Sequence, residues 1–421
     1  MADERSEGVV ALSRWRAVLA RSRNPRKRLE MVLADPQASA LVGGIPTEEL
    51  YYLVRGVGLT DALEVLRLAS PEQIQGFLDL DLWERDRLAP TRVFAWMEVL
   101  AELPPSVLAR AVRGLDPELI ALVLGRHARI YDRSVGEAPD DESPFIVKAT
   151  PDATFIVEMR TSNATAARTL ERFIDRLYNA DPDLARVLLN EAKWGMTAEL
   201  EEDSYRWRTA RLADMGFPAY EDAVVVYREV DADRVLAAAG VSPSRHEGDV
   251  RMLPVPFAES LGGDSLFERA LAELDDATLL GALSAAIIAL LNRVLVADHV
   301  EPADLERVRE TTARVRDTLS LGLERLSGGD VREAALLLAR VEVDEIFGVG
   351  WSITAAVGRR ARELERQAIV DPDLDAMLTP RPLFPRGLDP DPEAGERPFR
   401  TLADVRTAEA YLTDLASRFP D

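Results

Sequence analysis

The sequence predicts an all-α fold: a multi-helical array of short antiparallel helices with one small β-hairpin insertion. Three observations predict it. Apolar residues recur three and four apart through most of the chain, as in "SPEQIQGFL" and "LTDALEVLRLA". A helix-start signal keeps returning, in "IPTEELYYLV", "SPEQIQGFL", "LPPSVLARAV", "DPELIALVL" and "DPDLARVLL". Proline suits the first turn because its missing N–H has no helical partner to lose, and a preceding Ser or Asp accepts from the exposed amides. Finally, "FIVKATPDATFIVEM", Phe145 to Met159, sets two β-rich runs around a Thr-Pro-Asp-Ala turn.

The elements follow in order. Residues 1–130 read as a short-helix superhelical domain, with start signals too irregularly spaced for a fixed repeat. The acidic, turn-rich "YDRSVGEAPDDESP" then opens an insertion at 131–160, an acidic loop plus the hairpin. A middle helical domain at 161–241 is expected to hold helices near 164–179, 182–194, 197–215, 219–228 and 231–239. Gly216 and Pro218 mark the stop of the third. A linker at 242–263 leads to a bundle of long helices at 264–370, with spans near 264–275, 277–297, 302–326 and 330–369. The last is expected to break near "FGVGW", where Gly348 and Gly350 are poor helix formers. A proline-rich tail occupies 371–400. Its "RPLFP" carries Leu383 and Phe384 between stiffening prolines and is expected to dock. Thr401 caps a terminal helix at 401–419.

Composition narrows function. The net charge of -22 repels nucleic-acid phosphate and anionic lipid, so no nucleic-acid partner is expected. The basic "RSRNPRKRLE", Arg21 to Glu30, reads as a solvated helix start. Lysine occurs only at Lys27, Lys148 and Lys193, so arginine clusters carry less meaning here than usual. The absence of cysteine excludes disulfides, thiolate nucleophiles and cysteine zinc sites. The opening "MADERSEGVV" lacks the basic flank and apolar core of a secretory leader, and a cytoplasmic location is expected. The apolar "LLGALSAAIIALLNRVLVA" is interrupted by Asn292 and Arg293, short of the roughly 18 to 20 residues of a span. It is expected to be a buried central helix, without membrane insertion.

Candidate chemistry is sparse. "DLDLWERDRL" places Asp79, Asp81, Glu84 and Asp86 within one short stretch. A calcium loop would need glycine at its sixth position and glutamate at its twelfth, where Glu84 and Pro90 stand. The expectation is instead that Asp81 caps a helix beginning at Leu82, with Glu84 completing a capping box. His127, His246 and His299 match no metal-binding spacing, and no phosphate loop, dinucleotide fingerprint or nucleophile elbow occurs. No metal and no cofactor are therefore expected, and no catalytic residue stands out. The most unusual composition is "EEDSYRWRTARLADMGFPAYEDAVVVY", Glu201 to Tyr227. On a helix, Tyr205 can stack on Arg208 and Trp207 on Arg211. These four residues either form a ligand or partner pocket, or brace helices through ion pairs with Glu201, Glu202 and Glu221.

"GFLDLDLWERDRL", "RLADMGFPAYEDAVVVY", "RPLFPRGLDP" and "RPFRTLADVRTAEAYL" together resemble an uncharacterised bacterial family defined only as a domain of unknown function. The resemblance runs from about residue 30 to 415 and implies no reaction. The N-terminal third, through "LAELPPSVLARAVRGLDPELIALVLG", is similar to the helical superhelix of the magnesium-transporter cytosolic N-domain and of the flagellar motor switch. That likeness is one of fold and implies a regulatory or interaction module. The functional expectation is a non-enzymatic protein-interaction or regulatory scaffold with protein partners. The alternative is an enzyme of unrecognised type with its site near residues 201–227, acid/base work falling to Glu201, Glu202 or Glu221.

Overall fold

The computed structural model describes residues 24–161, 163–239, 257, 263–367, 369, 371–391 and 395–418. Of the expected linker at 242–263, all but Phe257 and Gly263 lies outside the described residues, as does the opening "MADERSEGVV". The chain divides into two compact units, Met1–Met215 and Gly216–Asp421. The fold is all-α with small β insertions, carrying twenty α-helices among the described residues.

The first unit opens with α1 (Pro25–Leu33), α2 (Ala38–Gly44), α3 (Thr47–Val57), α4 (Leu63–Leu68) and α5 (Pro71–Asp81). The proline start signals open helices as the sequence predicts, with Ser70 and Asp181 accepting from the exposed amides and Asp116 making no such side-chain cap. At α5, Ser70 accepts from the Gln73 amide while the Gln73 side chain accepts from the Ser70 amide, a complete capping box with Pro71 in the first turn. Strands β1 (Trp83–Glu84) and β2 (Arg87–Leu88) form a tight hairpin, followed by α6 (Pro90–Glu102), α7 (Pro105–Arg113) and α8 (Pro117–His127). The unit closes with α9 (Ala164–Ala180), α10 (Pro182–Trp194) and α11 (Thr197–Asp214).

Strand content exceeds the expected hairpin. Between α8 and α9 lie β3 (Ala128–Asp132), β4 (Ile146–Ala149) and β5 (Phe155–Met159), in an antiparallel sheet of order β3-β5-β4. The predicted pair is β4 and β5. The third strand continues straight from α8 and pairs Ala128 with Met159 and Asp132 with Phe155. A hairpin alone is marginal, and this added strand with burial of Phe155, Val157 and Met159 secures it.

The second unit contains α12 (Tyr220–Ala223), α13 (Ala232–Ala239), α14 (Leu266–Ala272), α15 (Ala277–Ala297), α16 (Leu305–Ser327), α17 (Val331–Arg340), α18 (Val343–Arg366), α19 (Pro372–Leu378) and α20 (Leu402–Arg418). The helix expected over 219–228 is instead α12 followed by a 3-10 turn at Val224–Tyr227, where three successive β-branched residues disfavour a continuing α-helix. Contrary to the expected shortfall at Asn292 and Arg293, Thr278–Ala297 is long and apolar enough to cross a membrane by length and composition, because the helix runs on through both residues. In the structure 56% of its most apolar stretch is buried.

The helix expected over 330–369 breaks elsewhere than at "FGVGW". Val341 is extended and Glu342 opens the next helix, with Arg340 in the last turn before and Asp344 and Glu345 in the first turn after. Those charges complement two helix termini meeting at the break. Gly348 and Gly350 lie inside α18 for a packing reason. A Cβ on Gly350 would stand 2.1 Å from the Thr318 carbonyl oxygen, and one on Gly322 of α16 would stand 2.1 Å from that of Ile346. The two backbones touch there, which offsets the roughly 1 kcal/mol each glycine costs a helix.

The tail is docked. Phe384 and Phe399 are buried and meet edge to face at 5.6 Å, and Phe384 bridges to Arg397 in antiparallel register. They join Val357, Leu374, Met377 and Leu412 in one apolar cluster. Arg381 carries the tail to Asp298, donating from Nε at 2.8 Å, with its guanidinium 3.5 Å from the Tyr227 ring. Arg314 and the Tyr227 hydroxyl also bind Asp298.

Gly322→Ala places a methyl group against backbone that no side-chain rotation relieves. It is expected to destabilise the protein by about 3 kcal/mol and to lower the melting temperature by several degrees. Calorimetric melting of the purified variant checks this; wild-type melting would mean that α16 and α18 do not approach so closely.

Candidate functional site

The site singled out in the sequence lies on α11, and its arginines turn inward to the end of α5. Successive residues of a helix are turned by about 100°, so Asp79 and Asp81 point to nearly opposite sides. Both are 1% exposed. Neither caps a helix. The expectation that Asp81 starts a helix at Leu82 is wrong: Asp81 is the last residue of α5 and Leu82 follows it as the C-cap. Glu84 sits in β1 instead of completing a box. The physical reason is the donors waiting around the helix end.

Asp81 accepts from the Tyr51 hydroxyl at 2.9 Å and from Trp96 Nε1 at 2.6 Å, with Arg55 Nε 3.5 Å away. Asp79 accepts from Arg211 through both Nε at 2.6 Å and a terminal nitrogen at 3.0 Å, and from Gln75 at 3.0 Å. Arg208 Nε donates to the Asp79 carbonyl oxygen at 2.8 Å. Arg92 donates to the carbonyls of Asp81, at 3.3 Å, and Trp83, at 3.0 Å. Acidic side chains at a helix C-terminus meet the unfavourable end of its dipole. Here guanidiniums cover both the carboxylates and the last carbonyls.

The four predicted residues therefore separate. Arg208 stacks on Trp83 at 5.5 Å, not on Tyr205, and Tyr205 meets the same indole edge to face at 5.9 Å. Arg211 leaves Trp207 for Asp79, and a terminal nitrogen also reaches Asp116 at 2.7 Å. Trp207 stays exposed on the other flank of α11, covered by Arg206 at 5.2 Å. Buried carboxylates outcompete exposed rings for a guanidinium because the ion pair is stronger out of water. The expected acidic partners differ as well: Glu201 is held by Arg126, at 2.9 and 3.0 Å, and not by an arginine of its own helix.

Sequence reasoning missed Asp116, Gln75, Tyr51 and Trp96. A signal was present: two carboxylates in the last turn of an apolar helix demand buried donors. Burial pushes the Asp79 carboxyl above the usual carboxylate range, against the opposing pull of Arg211. Burial also raises the Tyr51 hydroxyl, helped by the adjacent Asp81 charge. His127, half-buried against Phe94 at the end of α8, is pushed down by burial and by Arg126.

These features define an all-α, multi-helical protein whose first unit is pinned by arginines on buried carboxylates. The chain belongs to a family of unknown function (DUF6178), whose model matches residues 5–418. No curated protein matches the chain, and no solved structure does. The likeness to the magnesium-transporter N-domain and the flagellar switch rests on the proline helix starts alone.

Arg211→Gln leaves the Asp79 charge buried without its main partner, and a loss of about 3 kcal/mol is expected. The loss depends on pH. Without Arg211 the folded-state pKa of Asp79 rises further above its unfolded value. Such a carboxyl lends stability at low pH and withdraws it as pH rises toward the folded pKa. Urea unfolding of Arg211→Gln against wild type is expected to show a larger loss at pH 8 than at pH 5. A loss that is equal at both, or larger at pH 5, would contradict the assignment.

Proposed function

We propose that the protein is a non-enzymatic interaction scaffold of the cytoplasm, and that the corner between α10 and α11 is its docking face. One observation carries this reading. Trp194, Met196 and Trp207 are 68%, 60% and 47% exposed, and Val187 is 58% exposed. Val187 and Trp194 lie seven residues apart on α10, hence on one stripe. Met196 is the extended N-cap residue of α11, and Trp207 lies about three turns into the helix. Single exposed apolar side chains are ordinary, but four large ones on two successive helices and the turn between them support an interaction surface.

The chemistry of the partner follows from what covers the indoles. Lys193 Nζ stands 4.3 Å from the Trp194 ring, and the Arg206 guanidinium 5.2 Å from that of Trp207. Both cations are already engaged, Lys193 with Glu137 at 2.7 Å and Arg206 with Asp203 at 2.9 Å. Because those cations are paired, the partner that fits such a face is a protein presenting apolar side chains to the indoles. Arg208 and Arg211 supply rigidity to it rather than contact, since both are committed to Asp79.

The double change Trp194→Ala and Trp207→Ala is expected to abolish recovery of co-purifying partners from the native cell, with the melting temperature nearly unchanged. Exposed positions away from buried networks rarely move stability by more than about 0.5 kcal/mol. Quantitative affinity purification beside a thermal melt checks both halves. Full retention of partners by a stably folded double variant would sink the reading.

A further inference from the structure

The second unit carries a charged groove that the scaffold reading does not use. One hollow of about 600 Å³ lies among α14, α16, the turn after α16 and the start of α20, lined by Glu268, Arg269, Arg316, Asp317, Glu324 and Arg400, among others. It runs on through Arg269 and Gly329 into a second hollow of about 660 Å³, with Arg332 on its wall. Volumes of this order suit a small ligand.

The wall carries both signs of charge, and their commitments differ. Glu268 accepts the amides of Gly263 at 2.9 Å and Ser265 at 3.0 Å. Glu324 accepts the Leu402 amide at 2.8 Å. Asp317, 2% exposed, accepts Arg316 Nε at 2.8 Å. These carboxylates are turned to donors of the protein itself. Two of the guanidiniums are held loosely by comparison. Arg269 comes no closer than 3.7 Å to Asp264, and Arg400 reaches Asp317 only at 3.4 Å. Their side chains are 48% and 53% exposed at the mouth of the groove. A planar fork with so little to lose grips a phosphoryl or carboxylate group through two parallel hydrogen bonds. The lining of the first hollow carries four carboxylates, Asp264, Glu268, Asp317 and Glu324, against three guanidiniums. The anion is therefore held by the aim of Arg269 and Arg400 and not by a positive field, while charges beyond about 8 Å are screened at physiological salt.

We propose that this groove binds a small multivalent anion, bearing phosphoryl or carboxylate groups, gripped by Arg269 and Arg400 over Arg316. Asp317 keeps Arg316 on one oxygen when Arg400 swings to the ligand, so the floor of the groove stays assembled. The proposal is independent of the docking face on the first unit.

The test is calorimetric titration of the full chain with inorganic pyrophosphate and, separately, with citrate, against sodium chloride at matched ionic strength. Saturable binding of at least one is expected, and the arm that saturates identifies the group recognised. Arg269→Ala and Arg400→Ala are each expected to weaken it about tenfold or more, while Arg206→Ala on the first unit leaves it unchanged. Arg269→Ala gives up only a long, exposed contact and should melt as wild type does without ligand. Arg400→Ala leaves the buried Asp317 to Arg316 alone, so its melt is recorded beside the titration and only folded protein is compared. Absence of saturable binding in both arms would overturn the proposal. So would binding that survives Arg269→Ala and Arg400→Ala, or binding lost equally with Arg206→Ala.

Discussion

Two carboxylates buried at one helix end set the terms for the first unit. An unpaired buried carboxylate costs several kcal/mol, so Asp79 and Asp81 are tolerable only if donors meet them. Being two residues apart, they recruit those donors from different sides. Asp81 draws Tyr51 of α3 and Trp96 of α6, and Asp79 draws Arg211 of α11. One helix terminus thereby fixes three neighbours at once. Apolar packing supplies most of the free energy, through side chains such as Phe77, Leu80 and Trp96 around the same helix. The carboxylates supply register: a helix shifted by one residue would strand a charge.

This has a functional consequence. Arginine beside tryptophan on a helix suggests a ligand pocket, yet Arg208 and Arg211 are committed within the unit. What remains outward is Trp207 on α11 and Met196 at its N-cap. The second unit repeats the pattern, with Asp298 gathering Tyr227, Arg314 and Arg381 and thereby holding the tail. Arg269 and Arg400 are more weakly engaged than these, and they line a hollow.

Much of the fold was legible because its signals are local. Pro71, Pro105, Pro117 and Pro182 each stand at the start of a helix, and the spans 182–194 and 277–297 match α10 and α15. The misreadings share a different cause. Strand β3 is called into being by β5, more than twenty residues later, and nothing in "ARIYD" alone demands a strand. Gly348 and Gly350 look like helix breakers until Val230 is seen against the first and α16 against the second. The stretch "DLDLWERDRL" reads as a helix start because the tyrosine, tryptophan and arginine that satisfy it are distant in sequence. At the candidate site the helix was foreseen and the face was not. Which flank of α11 turns inward depends on Asp79, 132 positions away from Arg211.

The central claim is that the Asp79–Arg211 pair acts as one unit in holding α11. A double-mutant cycle of Asp79→Asn, Arg211→Gln and the combined variant, read by urea unfolding at pH 7, measures that coupling directly. Partners in one buried network are expected to couple by about 1.5 to 3 kcal/mol, so the double variant should be far less destabilised than the sum of the singles. Additivity within about 0.5 kcal/mol would mean that the two side chains act independently, and the account of how α11 is held would be wrong.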